Sequence, residues 1–256
     1  MDWSLHIGLM GLLVGLLVGM TGVGGAALLT PLLVLIGINP TVAVGTDLFY
    51  NSVTKLFGTI QHVRQKTVNW KMVRYLAYGS IPGAAVSIVL LQLYKAAYDN
   101  QEATIKKALG VVLIVVAVAT IVWQLLHNRV KENRIQQMAL ERKRGMTIAI
   151  GFVLGFIVGL TSIGSGSLFA LAMIFLYRLK ATEVVGTDIA HAFLLVTAAS
   201  VLHANLNHID YSLAFNLLVG SVPGVLIGSG LATRLPARPL RTIMATLIFL
   251  SGIKLI

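Results

Sequence analysis

The sequence predicts an all-α polytopic membrane protein made of two inverted repeats, each a broken-helix hairpin followed by three transmembrane helices. Three observations carry that reading. The 256 residues are 57% hydrophobic and only 11% charged, against about 25% charged in a soluble domain. The charge is gathered in short clusters between long apolar runs, the layout of a chain that crosses a bilayer repeatedly. Third, the second half echoes the first. Gly11–Gly25 recurs as Gly151–Ser165, Val44-Gly45-Thr46-Asp47 as Val185-Gly186-Thr187-Asp188, and His62 as His203. Gly79-Ser80-Ile81-Pro82-Gly83 returns as Gly220-Ser221-Val222-Pro223-Gly224. The offset is 140 residues in the first block and 141 in the others, so one residue is inserted in the second copy. Hydrophobic halves broken by glycines at matching places point to a secondary transporter with its site between the halves.

Taken in order, the apolar runs of the first half are 5–20, 26–38, 43–63, 72–94 and 104–126. Those of the second are 146–161, 166–177, 184–204, 212–233 and 239–256. The third to fifth runs of each half approach the roughly 20 residues needed to cross a bilayer core. The first two are short. A single helix over residues 5–36 would be about 48 Å long at 1.5 Å per residue, well beyond a core of about 30 Å. The Thr21-Gly22-Val23-Gly24-Gly25 break instead predicts two short helices meeting inside the membrane.

Five segments per half force the second copy upside-down relative to the first, and the loop charges test this. The stretch 63–74 holds Arg64, Lys66, Lys71 and Arg74 with no acid. The linker 127–145 holds Arg129, Lys131, Arg134, Arg142, Lys143 and Arg144 against Glu132 and Glu141. Arg178 and Lys180 follow the second hairpin, and Arg234, Arg238 and Arg241 precede the last helix. Placing these four loops in the cytoplasm leaves 37–42, 94–104 and 203–211 outside with little net charge, and both termini outside. Lys254 is a minor exception that can snorkel. The domains are then a first transmembrane repeat, 1–126, a basic cytoplasmic linker, 127–145, and a second repeat, 146–256. The start of the chain lacks the basic n-region of a cleavable signal peptide.

Composition narrows the chemistry. The chain has no Cys, which removes thiolate catalysis, disulfides and Cys-held metals. The net charge of +11 belongs to loops beside anionic lipid and does not point to nucleic acid. The sequence has no His-Glu-x-x-His, no phosphate loop and no paired carboxylates in one span. No enzyme, metal or cofactor is therefore expected, the expected partners are the lipid bilayer and a small anion, and nothing specifies an oligomer.

The glycine breaks are the first candidate site. The second short helix of each hairpin begins near mid-membrane, at Gly24 and Gly164. Its first N–H groups lack intrahelical partners and its dipole makes that end electropositive, so it suits an anion. Thr21, Gly22, Gly24 and Gly25 in the first copy, and Thr161, Ser162, Gly164 and Ser165 in the second, are the candidate contacts, with Ser167 a further hydroxyl. The alternative is close packing, and that is the role expected of Gly11, Gly15, Gly19, Gly151, Gly155 and Gly159, which recur four apart.

Lys55 is the most informative single residue. It falls mid-span, where a lysine costs about 2.5–3.5 kcal/mol on insertion scales, so it should face a cavity or a partner. It suits an anionic substrate; the competing role is a structural ion pair with Asp47 or another helix. The second copy has Val196 in its place, which makes the site asymmetric. Asp47 and Asp188, each after a Gly-Thr at the start of an apolar run, are expected to cap helices. Their alternative role is a proton or sodium relay for coupling. His62 and His203 sit at helix ends with interfacial or gating roles. Asn51, Asn216 and His191 are polar within spans, suited to interhelical hydrogen bonds or, for Asn51, to the substrate path. Pro82 and Pro223 free the carbonyls of Tyr78 and Val219 and read as hinges.

The Gly-x-x-x-Gly run, the Thr-Gly-x-Gly-Gly break, the Gly-Thr-Asp element and the repeated Ser-x-Pro-Gly together resemble the TauE/SafE sulfite exporter family, also called the toluene sulfonate uptake permease family. The resemblance covers nearly the whole chain. It implies a prokaryotic plasma-membrane transporter of sulfite, sulfonates or related organosulfur anions, with Thr21–Gly25 and its echo Thr161–Gly166 as the glycine-rich motif. The second copy has Ser162 and Ser165 where the first has Gly22 and Gly25, so its tip is expected to bind less closely. An alternating-access carrier is the leading reading; an anion channel is the alternative, and a membrane-embedded enzyme or scaffold a third.

Overall fold

A computed structural model describes residues 5–21, 26–97, 101–126, 136, 138–177, 179–232 and 237–256. Ten main helices and no strand occur among the described residues. The first half contains α1 (Leu5–Thr21), α2 (Ala26–Leu35), α3 (Pro40–Arg64), α4 (Trp70–Ala97) and α5 (Gln101–Leu126). The second contains α6 (Arg144–Thr161), α7 (Ser167–Leu176), α8 (Ala181–Asn205), α9 (Tyr211–Ala232) and α10 (Ala237–Leu255). Each apolar run thus became one helix. Trp70–Leu93, Arg144–Thr161, Thr182–Asn205 and Tyr211–Gly228 are long and apolar enough to cross a membrane.

Local sequence explains the helix starts. Pro40 opens α3, where a missing N–H costs nothing, and Asn39 Oδ1 accepts the Thr41 N–H at 3.0 Å. Asn69 Oδ1 accepts from Met72 N ahead of α4, and Asp210 Oδ1 accepts from Leu213 N ahead of α9. The expectation that Asp47 and Asp188 cap helices is corrected here. α3 and α8 begin seven residues earlier, at Pro40 and Ala181, because the polar residues before Asp47 and Asp188 still continue the helix. The hydroxyls of Thr46 and Thr187 do serve helix starts, but those of the opposite half. Thr46 Oγ1 accepts the Asp210 N–H at 3.0 Å, and Thr187 Oγ1 accepts the Asn69 N–H at 2.9 Å.

The halves interlock. The most extensive contacts are α1 on α9 and α4 on α6, followed by α3 on α8 and α5 on α10. Glycine makes this closeness attainable. A methyl on Gly11 or Gly15 would land on the Leu217 or Ser221 backbone, and one on Gly220, Gly224 or Gly228 on that of Gly8, Leu12 or Leu16. Gly151, Gly155 and Gly159 press in the same way on Leu76, Ser80 and Ala84. These are packing glycines, as their four-residue spacing predicts. Because both registers rise together, α1 runs parallel to α9 and α6 parallel to α4.

The second pair of short helices folds back on itself. Lys143 Nζ donates to the Leu176 carbonyl at 2.9 Å, and the Thr147 and Tyr177 hydroxyls share a hydrogen bond. The Lys143 ammonium also lies 4.5 Å from the centre of the Tyr177 ring. The start of α6 therefore meets the end of α7, with Ser162–Gly166 as the turn between them. Ser162 at φ 60° and Gly164 at φ 96° make that reversal. The loop 65–69 touches the start of α8, where Gly186 faces Thr67. The loop 206–210 touches the start of α3, where Gly45 faces His208. Residues 65–69, 140–143, 177, 179 and 180 thus share one face of the molecule, and 36–39 and 206–210 the other.

Candidate functional site

Where α3 crosses α8 the apolar interior gives way to polar side chains. Asp47, Asn51, Lys55 and Thr59 of α3, and Asp188 and His191 of α8, are all buried. One turn of helix separates Asp47, Asn51, Lys55 and Thr59 from each other, so they form a single stripe. Lys55 is only 8% exposed, and it shares this buried crossing with the Asp188 and Asp47 carboxylates. Among the described residues Lys55 makes no direct ion pair within 4.0 Å. That Lys55 and Asp47, two helical turns apart, make no direct pair agrees with the sequence expectation; that Asp188 joins them at the crossing was not legible in the sequence.

The two aspartates, equivalent by sequence, differ in their surroundings. The Thr30 hydroxyl of α2 and the Asn51 side-chain amide (2.7 Å) both donate to the Asp47 carboxylate. Ser162 Oγ approaches it without completing a hydrogen bond. Asp188 Oδ1 is buried and has no hydrogen-bond partner. The repeat explains the difference: Asn51 is replaced by Ala192, and Thr30 by Ala170 or Leu171 according to the offset used. The second half lacks the donors.

At the tip of the α6–α7 hairpin, Thr161 is committed to structure. Its hydroxyl donates to the Ile157 carbonyl at 2.7 Å and accepts the Ile163 N–H at 3.2 Å. The Ser162 and Ser165 hydroxyls are buried without partners, each at a cost of about 1–3 kcal/mol when nothing replaces water. They precede the electropositive start of α7, and Phe169 in its first turn lies 4.3 Å, centre to centre, from the His191 ring. Of the first-copy candidates, Thr21 ends α1, while Gly22, Gly24 and Gly25 lie outside the described residues.

Two further pairs join the halves near this cluster. The Tyr50 hydroxyl shares a hydrogen bond with Ser221 Oγ, and His191 Nε2 shares one of 2.8 Å with Ser80 Oγ. Tyr50 and His191 are repeat equivalents, as are Ser80 and Ser221. Sequence reading missed these serines because Pro82 and Pro223, two positions on and inside α4 and α9, drew the attention in the Ser-x-Pro-Gly motif. The histidines at the helix ends are partnered too. His62 Nδ1 lies 2.9 Å from Thr67 Oγ1. His203, fully buried, lies 3.3 Å from His208 and 3.4 Å from the Gly159 carbonyl.

The family described as sulfite exporter TauE/SafE matches residues 7–255. A probable membrane transporter protein of Bacillus subtilis, YjnA, is 62% identical over 99% of this chain and 100% of its own length. A second from the same bacterium, YunE, is 25% identical over 96% of this chain and 95% of its own. A probable membrane transporter protein of Methanocaldococcus jannaschii is 30% identical over 62% of this chain and 57% of its own. No solved structure matches. Apolar helices crowded together by glycine, a buried charged crossing and a match over nearly the whole length agree: this chain is a membrane transporter of the sulfite exporter TauE/SafE family.

Proposed function

We propose that the protein is a secondary carrier of small anions, sulfite, sulfonates or related organosulfur anions, working by alternating access between two inverted repeats. The repeats are residues 1–126 and 146–256, joined by the cytoplasmic linker 127–145, in the plasma membrane of a prokaryote with both termini outside. Support for the inversion comes from contacts that occur twice with the halves exchanged: α1 on α9 and α6 on α4, Thr46 to Asp210 and Thr187 to Asn69. The described basic residues Lys66, Lys71, Lys143 and Lys180 share the face of residues 65–69, which fits a cytoplasmic side.

One observation carries the anion reading. Ser162 and Ser165 bury hydroxyl donors without partners at the positive end of α7, beside a crossing that holds a buried lysine. Such groups persist at a cost to stability when a ligand completes them. Lys55, Ser162, Ser165, Asn51 and the backbone around Gly164 would contact the anion, with Thr161 shaping the turn and Thr21, Gly22, Gly24 and Gly25 serving the opposite tip. Asp47 and Asp188 would serve coupling to a proton or sodium ion. His62, His203, Pro82 and Pro223, near the ends and bends of moving helices, would serve gating.

The test is uptake of radiolabelled sulfite and ethanesulfonate by proteoliposomes. Wild type should show saturable uptake, and Lys55→Ala should lower it at least tenfold while the purified variant keeps its helical content. Undiminished uptake in Lys55→Ala would remove the lysine from the mechanism, and absence of wild-type uptake of both anions would end the organosulfur reading.

A further inference from the structure

Counting charge at the crossing of α3 and α8 leads beyond an anion site. One ammonium, Lys55, stands among two buried carboxylates, Asp47 and Asp188. With all three ionised the crossing already carries a net negative charge. A monoanion entering there would add a second negative charge in a medium that screens poorly. The anion can be held only when one carboxylate is neutralised at the same time.

The structure distinguishes the two. Asp47 receives hydrogen bonds from Thr30 and Asn51, both donors, and donors favour the ionised carboxylate. Asp188, 7% exposed, has an oxygen with no partner, and Ala192 and Ala170 stand where donors would be needed. The groups facing it are few. From α3 comes Lys55. Its own helix supplies His191, which is bonded to Ser80 and lies tilted against the Phe169 ring with no carboxylate bonded to it, so it counts as neutral. The helices α4 and α7, which also pack on α8, contribute Ser80 and Phe169 beside His191, and α6 packs on α8 as well; among the described residues none of these brings a buried charge here.

We propose that anion and proton move together, and that Asp188 is the carboxyl that carries the proton. Water on the open side gives a proton to Asp188 Oδ1, which becomes a neutral carboxylic acid and releases Lys55 to the entering anion. The loaded crossing then holds Lys55 positive, Asp47 negative, Asp188 neutral and one anion. On the other side the anion leaves, Asp188 returns its proton to water, and the carboxylate again faces Lys55. Nothing is oxidised, and one proton crosses for each monoanion. This rests on the anion-carrier reading above and assigns its coupling ion.

The experiment uses proteoliposomes with the membrane voltage clamped and ethanesulfonate, which stays ionised across the working pH range, as the probe, with sulfite alongside. An inward gradient of one pH unit should drive about tenfold accumulation in wild type, one proton's free energy per anion. Asp188→Asn should lose that accumulation yet keep exchange of labelled for unlabelled anion, which needs no net proton movement. Retained exchange also shows that the variant is folded. Accumulation in wild type that follows a sodium gradient, or that ignores pH, overturns the proposal without help from any variant. So does an Asp188→Asn protein that still concentrates the anion against its gradient. If wild type moves neither anion, the carrier reading fails first and takes this one with it.

Discussion

Tyr50 and Ser221, 171 residues apart in the chain, share a buried hydrogen bond between α3 and α9. The pair has a counterpart 111 residues apart in His191 and Ser80, between α8 and α4. Each bond leaves the residue three positions after a buried aspartate and reaches the serine of a Ser-x-Pro-Gly element in the opposite half. The helix that carries the aspartate of the proposed chemistry is thereby tied to a helix with an internal proline.

Ser80→Ala is expected to destabilise the protein by about 1–3 kcal/mol, because it leaves the buried His191 ring with both nitrogens unpartnered. Ser80→Thr, which retains a hydroxyl, tests whether the bond or the volume matters. Thermal unfolding in detergent reads the effect. A Ser80→Ala protein as stable as wild type would show that the bond adds nothing net.

Glycine packing separates crowded from open positions. Gly155→Ala should cost about 1–3 kcal/mol through overpacking, since the methyl would meet the Ser80 backbone. Gly145→Ala, at a helical position with nothing within 4 Å, should be neutral or stabilising by about 0.4–1 kcal/mol through the unfolded chain. Equal stability losses in the two variants would contradict the crowding.

Much of this was legible in the sequence, and what escaped had a physical reason. Helices followed from apolar runs, so their ends came within three residues of those observed, as at α3, which starts at Pro40 and not 43, and at α2, which ends at Leu35 and not 38. The packing glycines followed from their spacing. The burial of Lys55 followed from its depth, but the presence of Asp188 at the same crossing depends on how two helices pack, and no periodicity along one helix reports it. Similarly, Thr30 is an ordinary threonine in a ten-residue helix until folding sets it on Asp47. The difference between Asp47 and Asp188 was written in the repeat as Asn51 against Ala192. It acquires meaning only when Asn51 is seen to bond the carboxylate.

Ser162 offers a way to part binding from folding. It adopts φ 60° with a buried, unpartnered hydroxyl, a conformation that strains L residues and that glycine takes freely. Ser162→Gly should raise stability by about 1 kcal/mol while weakening anion binding at least fivefold. Thermal shift with and without sulfite measures both, since bound ligand stabilises according to its concentration over affinity. Unchanged sulfite binding in the glycine variant would show that the hydroxyl does not touch the anion.

The absence of cysteine makes the topology directly testable, because every introduced thiol is the only one in the chain. Gln65, Arg142 and Lys180 are exposed on the face that carries the basic loops, while Ile36 and Asn205 are exposed toward the other. In intact cells a membrane-impermeant maleimide should label Ile36→Cys and Asn205→Cys, and reach Gln65→Cys, Arg142→Cys and Lys180→Cys only after permeabilisation. The grouping matters more than the side. Labelling of all five reversed would turn the molecule over in the membrane but leave the two faces intact. A split within either group would break the parallel pairing of α1 with α9 and α4 with α6, since parallel helices of similar span must open on the same face.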